Sequence, residues 1–481
     1  MSKLLSNFAV NFNRIKQFEV DKSIKLRPSQ KRTLKDLYKY LMYAGKGDLN
    51  GYIQMPTGSG KTFIIGLITM LLSTPEINSK SESKKNDKTN FKTLILVHNS
   101  SALRQEKERL LDMGLFKESD IGIVGDGSDK QDRKITISTF QSLKKHQDQK
   151  YDLIQLDEAH KELGYHTQKN LTKLTNIEKD LQGFSTDKTF IIGLTATPIL
   201  SRKEVSDYYE NKISKTSYSE SVKEGTVVPF KFHHADGYFT KEDVNKKDIT
   251  LEEEIKLLDR NKAYVNLLTK FTELKETSVS KPYPLVFCAT IDECDKFQDV
   301  AKTHGYKVAI IHSESDVEIK EAELKMKNDE VDIVVSVGKL TEGYDNKLID
   351  TIIIARASNS PAILQQMAGR GSRTNKLGKK FCNIIEINWL DRDYEYYKNF
   401  GPGSNGNDSK NTDDKLRLQI GGSRKPMTVA EAFYIDGDED FGVVAENASN
   451  FKVEDIADFR FNYKKILSLK DIELNNWKLK H

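Results

Sequence analysis

The strongest constraint on the fold is a set of short, continuously apolar runs that occurs once and then starts again. TLILVH (93–98), KITIST (134–139), YDLIQLD (151–157) and TFIIGLTA (189–196) are unbroken rather than alternating. That pattern marks strands buried on both faces of a parallel sheet. GYIQ (51–54) adds a shorter one. After a gap, PLVFCA (284–289), VAIIHS (308–313), DIVVSV (332–337), TIIIAR (351–356) and FCNIIEI (381–387) repeat the theme. Helical stretches lie between, such as LRPSQKRTLKDLYKYL (26–41) and FIIGLITMLL (63–72). Strands separated by helices imply a sheet covered on both faces, so two sets imply two α/β lobes.

A chain of 481 residues exceeds one hydrophobic core and predicts about two to four domains. The stretch to about residue 24 shows no clear period and reads as an N-terminal extension. The first lobe is expected over 25–215, an inter-lobe connection over 216–275, and the second lobe over 276–400. GPGSNGNDSKNTDD (401–414) reads as a linker, opening a C-terminal extension over 401–481 whose fold the sequence does not assign. The polar segment around 76–90 reads as an exposed insertion.

Composition narrows the function classes. Charged residues make up 30% and hydrophobic residues 37% of the chain, and no apolar run reaches the ~18 residues of a membrane span. A net charge of +4 gives no global attraction to a polyanion, so any nucleic-acid contact needs a local basic track. Cys288, Cys294 and Cys382 are too few and too scattered for a disulfide framework or a zinc cage. Cys288 and Cys294 read as a core and a surface thiol. His233 and His234 have no evident ligand partners. The first 18 residues hold Lys3, Arg14 and Lys16 and no acid, a weak transit-peptide signal. The expected location is cytoplasmic or nucleoid-associated, with a mitochondrial alternative.

The sharpest chemical signal is MPTGSGKT (55–62), between a predicted strand and a helix. Gly58 and Gly60 let backbone N–H groups turn around phosphate oxygens. Lys61 supplies a point charge to the β- and γ-phosphates, Thr62 offers a hydroxyl to Mg²⁺, and the helix N-terminus adds its dipole. Met55 stands where the common pattern has glycine. LDEAH (156–160) ends a predicted strand, where Asp157 suits water-mediated Mg²⁺ binding and Glu158 suits polarising the attacking water. His160 is placed to bond across to the other lobe. In QQMAGRGSR (365–373), Arg370 and Arg373 are three apart, so both can face one way on a helix. Arginine of this kind stabilises charge developing on a γ-phosphate.

MPTGSGKT, LDEAH, GLTATP (193–198), VGKLTEGYDN (337–346) and QQMAGRGSR stand in the order of motifs I, II, III, V and VI of the superfamily 2 helicases. The chain resembles that family over about 25–395. It resembles most the DEAH-containing group of restriction-enzyme motor subunits and XPB- and Irc3-type DNA helicases. No nuclease motif accompanies the set.

The resemblance implies two tandem RecA-like lobes and an ATP- and Mg²⁺-dependent motor on nucleic acid. It implies ATP held by Met55, Pro56, Thr57, Gly58, Ser59, Gly60, Lys61 and Thr62, with Gly343, Asp345, Arg370 and Arg373 closing the site. LRPSQ (26–30) is similar to the glutamine element in which Gln30 reads adenine with support from Arg27. ISTFQSL (137–143) and LVFCAT (285–290) are similar to motifs Ib and IV. His160, Thr195, Thr197 and Gln366 would couple ATP state to strand position. Ser100, Thr139, Gln141, Thr290, Lys339 and Thr341 would touch the strand, mainly at phosphates. The expectation is a monomeric DNA helicase or translocase acting on duplex or branched DNA. An RNA helicase of the same fold, an ATP-gated clamp, and the motor subunit of a restriction or antiviral complex remain open alternatives.

Overall fold

A computed structural model describes residues 2–21, 25–43, 50–73, 91–146, 149–162, 189–197, 209, 211–235, 256, 258, 262–278, 280–312, 319–337, 346–358, 360–374, 378–387, 429, 432 and 433. The expected insertion at 76–90 and linker at 401–414 lie outside them, as do Lys339, Thr341, Gly343 and Asp345. Among the described residues, the first of two compact units runs to Thr216 and the second begins at Ser217.

The first unit is built on β1 (Asn50–Gln54), β2 (Thr93–Val97), β3 (Ile121–Gly125), β4 (Ser128–Asp129), β5 (Ile135–Thr139), β6 (Leu153–Asp157), β7 (Phe190–Thr195) and β8 (Asn211–Lys215). They form one sheet in the order β4-β3-β5-β2-β6-β7-β1-β8, parallel throughout except for β4. β1, β2, β5 and β7 are buried at every residue, the burial that continuous apolar strands require. Parallel order brings the C-terminal ends of β1, β7 and β6 to one edge, with Gln54 opposite Thr195 and Asp157 opposite Leu194. Loops following such ends are where α/β sheets bind ligands.

Helices α2 (Pro28–Tyr43), α3 (Lys61–Leu72) and α4 (Ser100–Asp112) cover this sheet, and α1 (Ser2–Asp21) packs against α3 and α2. The opening stretch is therefore a helix of the first lobe, not a separate extension. Its buried face is Leu4, Asn7, Phe8, Asn11, Ile15 and Phe18, a helical spacing with two polar members. Those asparagines serve the far end of α3, whose last carbonyls have no partner within the helix. Asn11 Nδ2 donates to Met70 O at 3.1 Å, Leu71 O at 3.0 Å and Ser73 O at 2.8 Å, and Asn7 Nδ2 donates to Leu72 O at 2.8 Å. α3 is tied to the sheet by Gln155 of β6, whose Nε2 donates to Thr69 Oγ1 at 2.7 Å and Ile65 O at 3.2 Å.

The second unit holds α5 (Tyr218–Lys223), β9 (Phe230–Ala235), α6 (Ala263–Thr277), β10 (Pro284–Cys288), α7 (Ile291–Thr303), β11 (Val308–Ile311), α8 (Ile319–Lys327), β12 (Ile333–Ser336), β13 (Thr351–Ala355), α9 (Pro361–Gly371) and β14 (Cys382–Ile387). Its six strands run parallel in the order β11-β12-β10-β13-β14-β9. The described residues of the expected connection at 216–275, from Ser217 on, thus belong to the second lobe. β9 escapes a sequence reading because Lys231, His233 and His234 interrupt its apolar residues. His233 is nevertheless buried, its Nε2 3.0 Å from Asn383 Oδ1 of β14, and burial lowers its pKa to about 4.

Part of the C-terminal extension also belongs to this lobe. Phe433 packs with Tyr218 and Phe230, with ring centroids 5.1 and 5.3 Å away. Val429 N–H donates to Glu386 Oε2 at 2.9 Å, and Gln365 Nε2 donates to Ala432 O at 2.7 Å. Cys294 is buried like Cys288 and Cys382, which corrects its expected place at the surface. Among the described residues no helix is long and apolar enough to cross a membrane.

Candidate nucleotide site

The phosphate-binding loop follows β1 and leads into α3. Gly60 caps α3 at φ 99°, left-handed backbone that favours glycine, and Gly58 lies at φ 85°. A glycine cap has no side chain to accept from the first-turn N–H groups, which leaves them to an anion. The loop is braced from inside: Ser59 Oγ donates to Pro56 O at 2.7 Å, and Met55 N–H donates to Thr195 O at 2.8 Å. Met55 is fully buried, so the first position of the loop is a core side chain.

Gln30 and Arg27 lie against this loop. Gln30 Oε1 accepts from Arg27 N–H at 3.1 Å, and Arg27 Nη1 donates to Ser59 O at 3.2 Å. A Cβ built on Gly60 would stand 3.2 Å from Gln30 Nε2.

The acidic motif closes the site from β6. Lys61 Nζ and Glu158 Oε1 are 2.9 Å apart. Glu158 sits at φ 51°, uncommon for a residue with a side chain, and its N–H donates to Asp157 Oδ1 at 3.0 Å. Asp157 is held above the usual carboxylate range first by burial and then by the neighbouring Glu158 charge, with Lys61 and Arg109 opposing. The approach of this turn to β7 depends on Gly193, where a Cβ would meet Tyr209 Cζ at 2.7 Å and Ala159 Cβ at 2.8 Å.

His160 faces the end of β7 within the first lobe. It is buried, with Nδ1 2.8 Å from Thr195 Oγ1 and 3.5 Å from Glu158 Oε2. Thr195 Oγ1 donates to Thr197 O at 3.0 Å and accepts from Thr197 N–H at 3.1 Å. With that hydroxyl's single proton committed, His160 Nδ1 must carry the hydrogen. The DEAH and GLTATP segments are therefore joined by this contact within the first lobe.

The second lobe places its arginines separately. Arg370 is in the last turn of α9 and buried. The helix ends at Gly371, and Arg373 lies beyond it in a bridge with Val227. The two do not share a helical face. Gln366 is buried within α9. Of the expected strand contacts, Ser100 and Gln141 are exposed. Thr139 is buried at the end of β5, and its hydroxyl donates to Ser142 Oγ at 3.1 Å. Thr290 caps α7 by accepting from Glu293 N–H at 3.2 Å.

Two residues of the site carry no signal in the motifs. Arg109 Nη1 donates to Thr62 Oγ1 at 3.1 Å, and Glu106, one turn before it on α4, is buried and pushed up to about 8 first by burial and then by the Asp157 charge. The donors fit Mg²⁺ bound together with a nucleotide: Thr62 would offer a hydroxyl and the half-buried Asp157 a carboxylate. Among the described residues no cluster of three His, Cys, Asp or Glu side chains would hold a metal alone.

Fold and loop define a P-loop nucleotide-binding lobe followed by a second lobe of the same class. Residues 23–200 match the family of the type III restriction enzyme res subunit, and residues 263–375 match the helicase conserved C-terminal domain. The chain is 24% identical over 346 residues to a Saccharomyces cerevisiae protein named as the ATP-dependent helicase IRC3, covering 70% of this chain and 48% of that relative. It is 24% identical over 408 residues to a protein named as helicase 22 of Sulfolobus islandicus filamentous virus, covering 79% and 67%. A fragment named as the HsdR subunit of a type I restriction enzyme from Vibrio vulnificus YJ016 superposes with a TM-score of 0.53 at 23% identity, over 75% of this chain and 64% of that one. These two domains are those of a superfamily 2 helicase, and the chain resembles the restriction-enzyme motor subunits of that superfamily. It spans about half the length of the yeast relative.

Proposed function

We propose that this protein is a DEAH-type, Mg²⁺- and ATP-dependent DNA helicase or translocase that acts on duplex or branched DNA as a monomer. The observation that carries the ATPase reading is the pairing of Lys61 with Glu158 at the shared end of β1 and β6. A phosphate-binding lysine and a water-positioning carboxylate meet where a γ-phosphate would lie. Thr62 and Asp157 would hold the metal, which supplies charge neutralisation on the phosphates. Arg27 and Gln30 favour adenine, and Arg370 acts on charge formed in the transition state. DNA is favoured over RNA by the likeness to restriction motor subunits.

Strand contacts in this reading are mostly to phosphates and carry little sequence preference. If about five phosphates are neutralised, log K falls with log salt at roughly −3.5 on single strands and −4.5 on duplex. The test is ATPase rate without polymer and with single-stranded DNA, duplex DNA, a fork and RNA, at two salt concentrations. Forks are expected to stimulate most. Strong stimulation by RNA and none by any DNA would overturn the DNA assignment.

A further inference from the structure

Lys379 lies outside the helicase motifs, after Arg373 and before β14. It follows Gly378, whose backbone is left-handed at φ 79°. The half-buried Lys379 donates from Nζ to two backbone carbonyls, Ile349 O and Gly371 O, each at 2.8 Å. Gly371 is the last residue of α9 and the neighbour of Arg370. Carbonyls at a helix end have no partner within the helix, and the dipole there favours a cation. Ile349 lies between the VGKLTEGYDN segment and β13, and it is fixed in turn, because the next residue, Asp350, accepts from Tyr283 N–H at 2.8 Å through Oδ1. One lysine thus ties the end of α9 to the entry of β13. Gly371 seats the helix end directly on the sheet, since a Cβ there would collide with Cys382 Sγ and stand 2.9 Å from Ile352 Cγ1. Beyond it, Ser372 O accepts from Val228 N–H at 2.7 Å.

Arg370 is buried in that last turn. A group that acts on transition-state charge must be held closely, because a misplacement of about 1 Å costs about 10²-fold in rate. We infer that Lys379 is a positioning residue for Arg370: by capping α9 it fixes the backbone from which the arginine extends. A cap that served folding alone would leave the rate of each folded molecule unchanged. A positioning residue changes that rate at constant nucleotide affinity. Burial lowers the Lys379 pKa, yet even a neutral amine has two hydrogens for the two carbonyls, so the role does not depend on titration. It rests on the proposed reading of Arg370 as an arginine that acts on the transition state.

The test is steady-state ATPase of the full-length protein over a range of ATP, with and without fork DNA, well below each variant's unfolding midpoint. Lys379→Met keeps the reach and removes the donor. It should lower the fork-stimulated kcat about 10-fold or more. KM for ATP, and affinity for a fluorescent, non-hydrolysable ATP analogue, should change by no more than a few-fold. Lys379→Arg keeps donors and charge and should recover part of the rate. Because Lys379 acts through Arg370, adding Lys379→Met to Arg370→Ala should cause no further loss. Should Lys379→Met fail to fold, Lys379→Gln, too short to reach both carbonyls, is read in the same way. An unchanged kcat, equal losses of kcat and nucleotide affinity, no recovery in Lys379→Arg, or an additive double variant would overturn the inference. If Arg370→Ala leaves the stimulated rate unchanged, the reading of Arg370 falls and the role of Lys379 with it. If Arg370→Ala slows the reaction and Lys379→Met does not, only the role of Lys379 falls.

Discussion

Lys61 Nζ and Glu158 Oε1 are 2.9 Å apart, so the residue suited to holding phosphate and the residue suited to positioning water occupy each other. Nucleotide binding must separate them. Glu158→Gln removes the charge that holds Lys61 and also the group that polarises water. Nucleotide affinity should therefore be kept or improved while turnover falls by roughly 10²–10⁴. Equilibrium binding and steady-state ATPase on the same preparation check this, and parental turnover would refute the role.

Arg370 and Arg373 stand in different backbone settings, one in the last turn of α9 and one in a bridge to Val227. Arg370→Ala should lower polymer-stimulated ATPase sharply and change nucleotide affinity by no more than a few-fold, because a finger acts on transition-state charge. Arg373→Ala should act similarly or more mildly. Equal losses of binding and turnover in Arg370→Ala would assign it to the ground state.

Gln30 is anchored by Arg27 N–H and lies beside Gly60. Its amide should favour ATP over GTP, since the wrong base edge leaves polar groups unmatched. Competition binding should show this preference narrowing in Gln30→Ala. Equal affinity for both nucleotides in the parent protein would remove Gln30 from base recognition.

Asn11 serves three carbonyls at the end of α3. Asn11→Ala leaves them without that donor and should cost about 1–3 kcal/mol. Urea unfolding measures the loss. A midpoint within error of the parent would mean that water replaces the amide without penalty.

His146 is buried between Tyr151 and Ser138, at 2.7 Å and 2.9 Å, and burial lowers its pKa from 6.5 to about 4. The unfolded chain therefore binds a proton at higher pH than the folded one. This contribution to stability is fully present above pH 6.5 and is lost as pH falls toward 4. His233, lowered to a similar value by burial, acts in the same direction. His146→Gln should flatten the decline of the urea midpoint between pH 6.5 and 4.5, and an unchanged slope would contradict the linkage.

The strands and the phosphate loop are legible in the sequence because their physics is local: unbroken apolar runs, and glycines where a turn needs left-handed backbone. What escapes depends on partners distant in the chain. Asn7 and Asn11 hide the period of α1, since a polar side chain on a buried face makes sense only beside the carbonyls it serves. β9 is hidden by Lys231, His233 and His234, and the junction between lobes is misplaced with it. Arg373 leaves the helical face because α9 stops at Gly371. Arg109 looks like part of an ordinary charged helix surface until Thr62 is set against it.

The edge strand β9 has a consequence for the order in which the protein is made. His233 pairs with Asn383, a partner 150 residues later in the chain. At a ribosomal rate of about 5–20 residues per second, β9 leaves the ribosome on the order of 10 s before β14 exists. The first lobe has its last strand, β8, by Lys215, whereas the second waits with an unpaired strand until its final one emerges. That interval is when a chaperone, or a neighbouring nascent chain, has its best access to this protein.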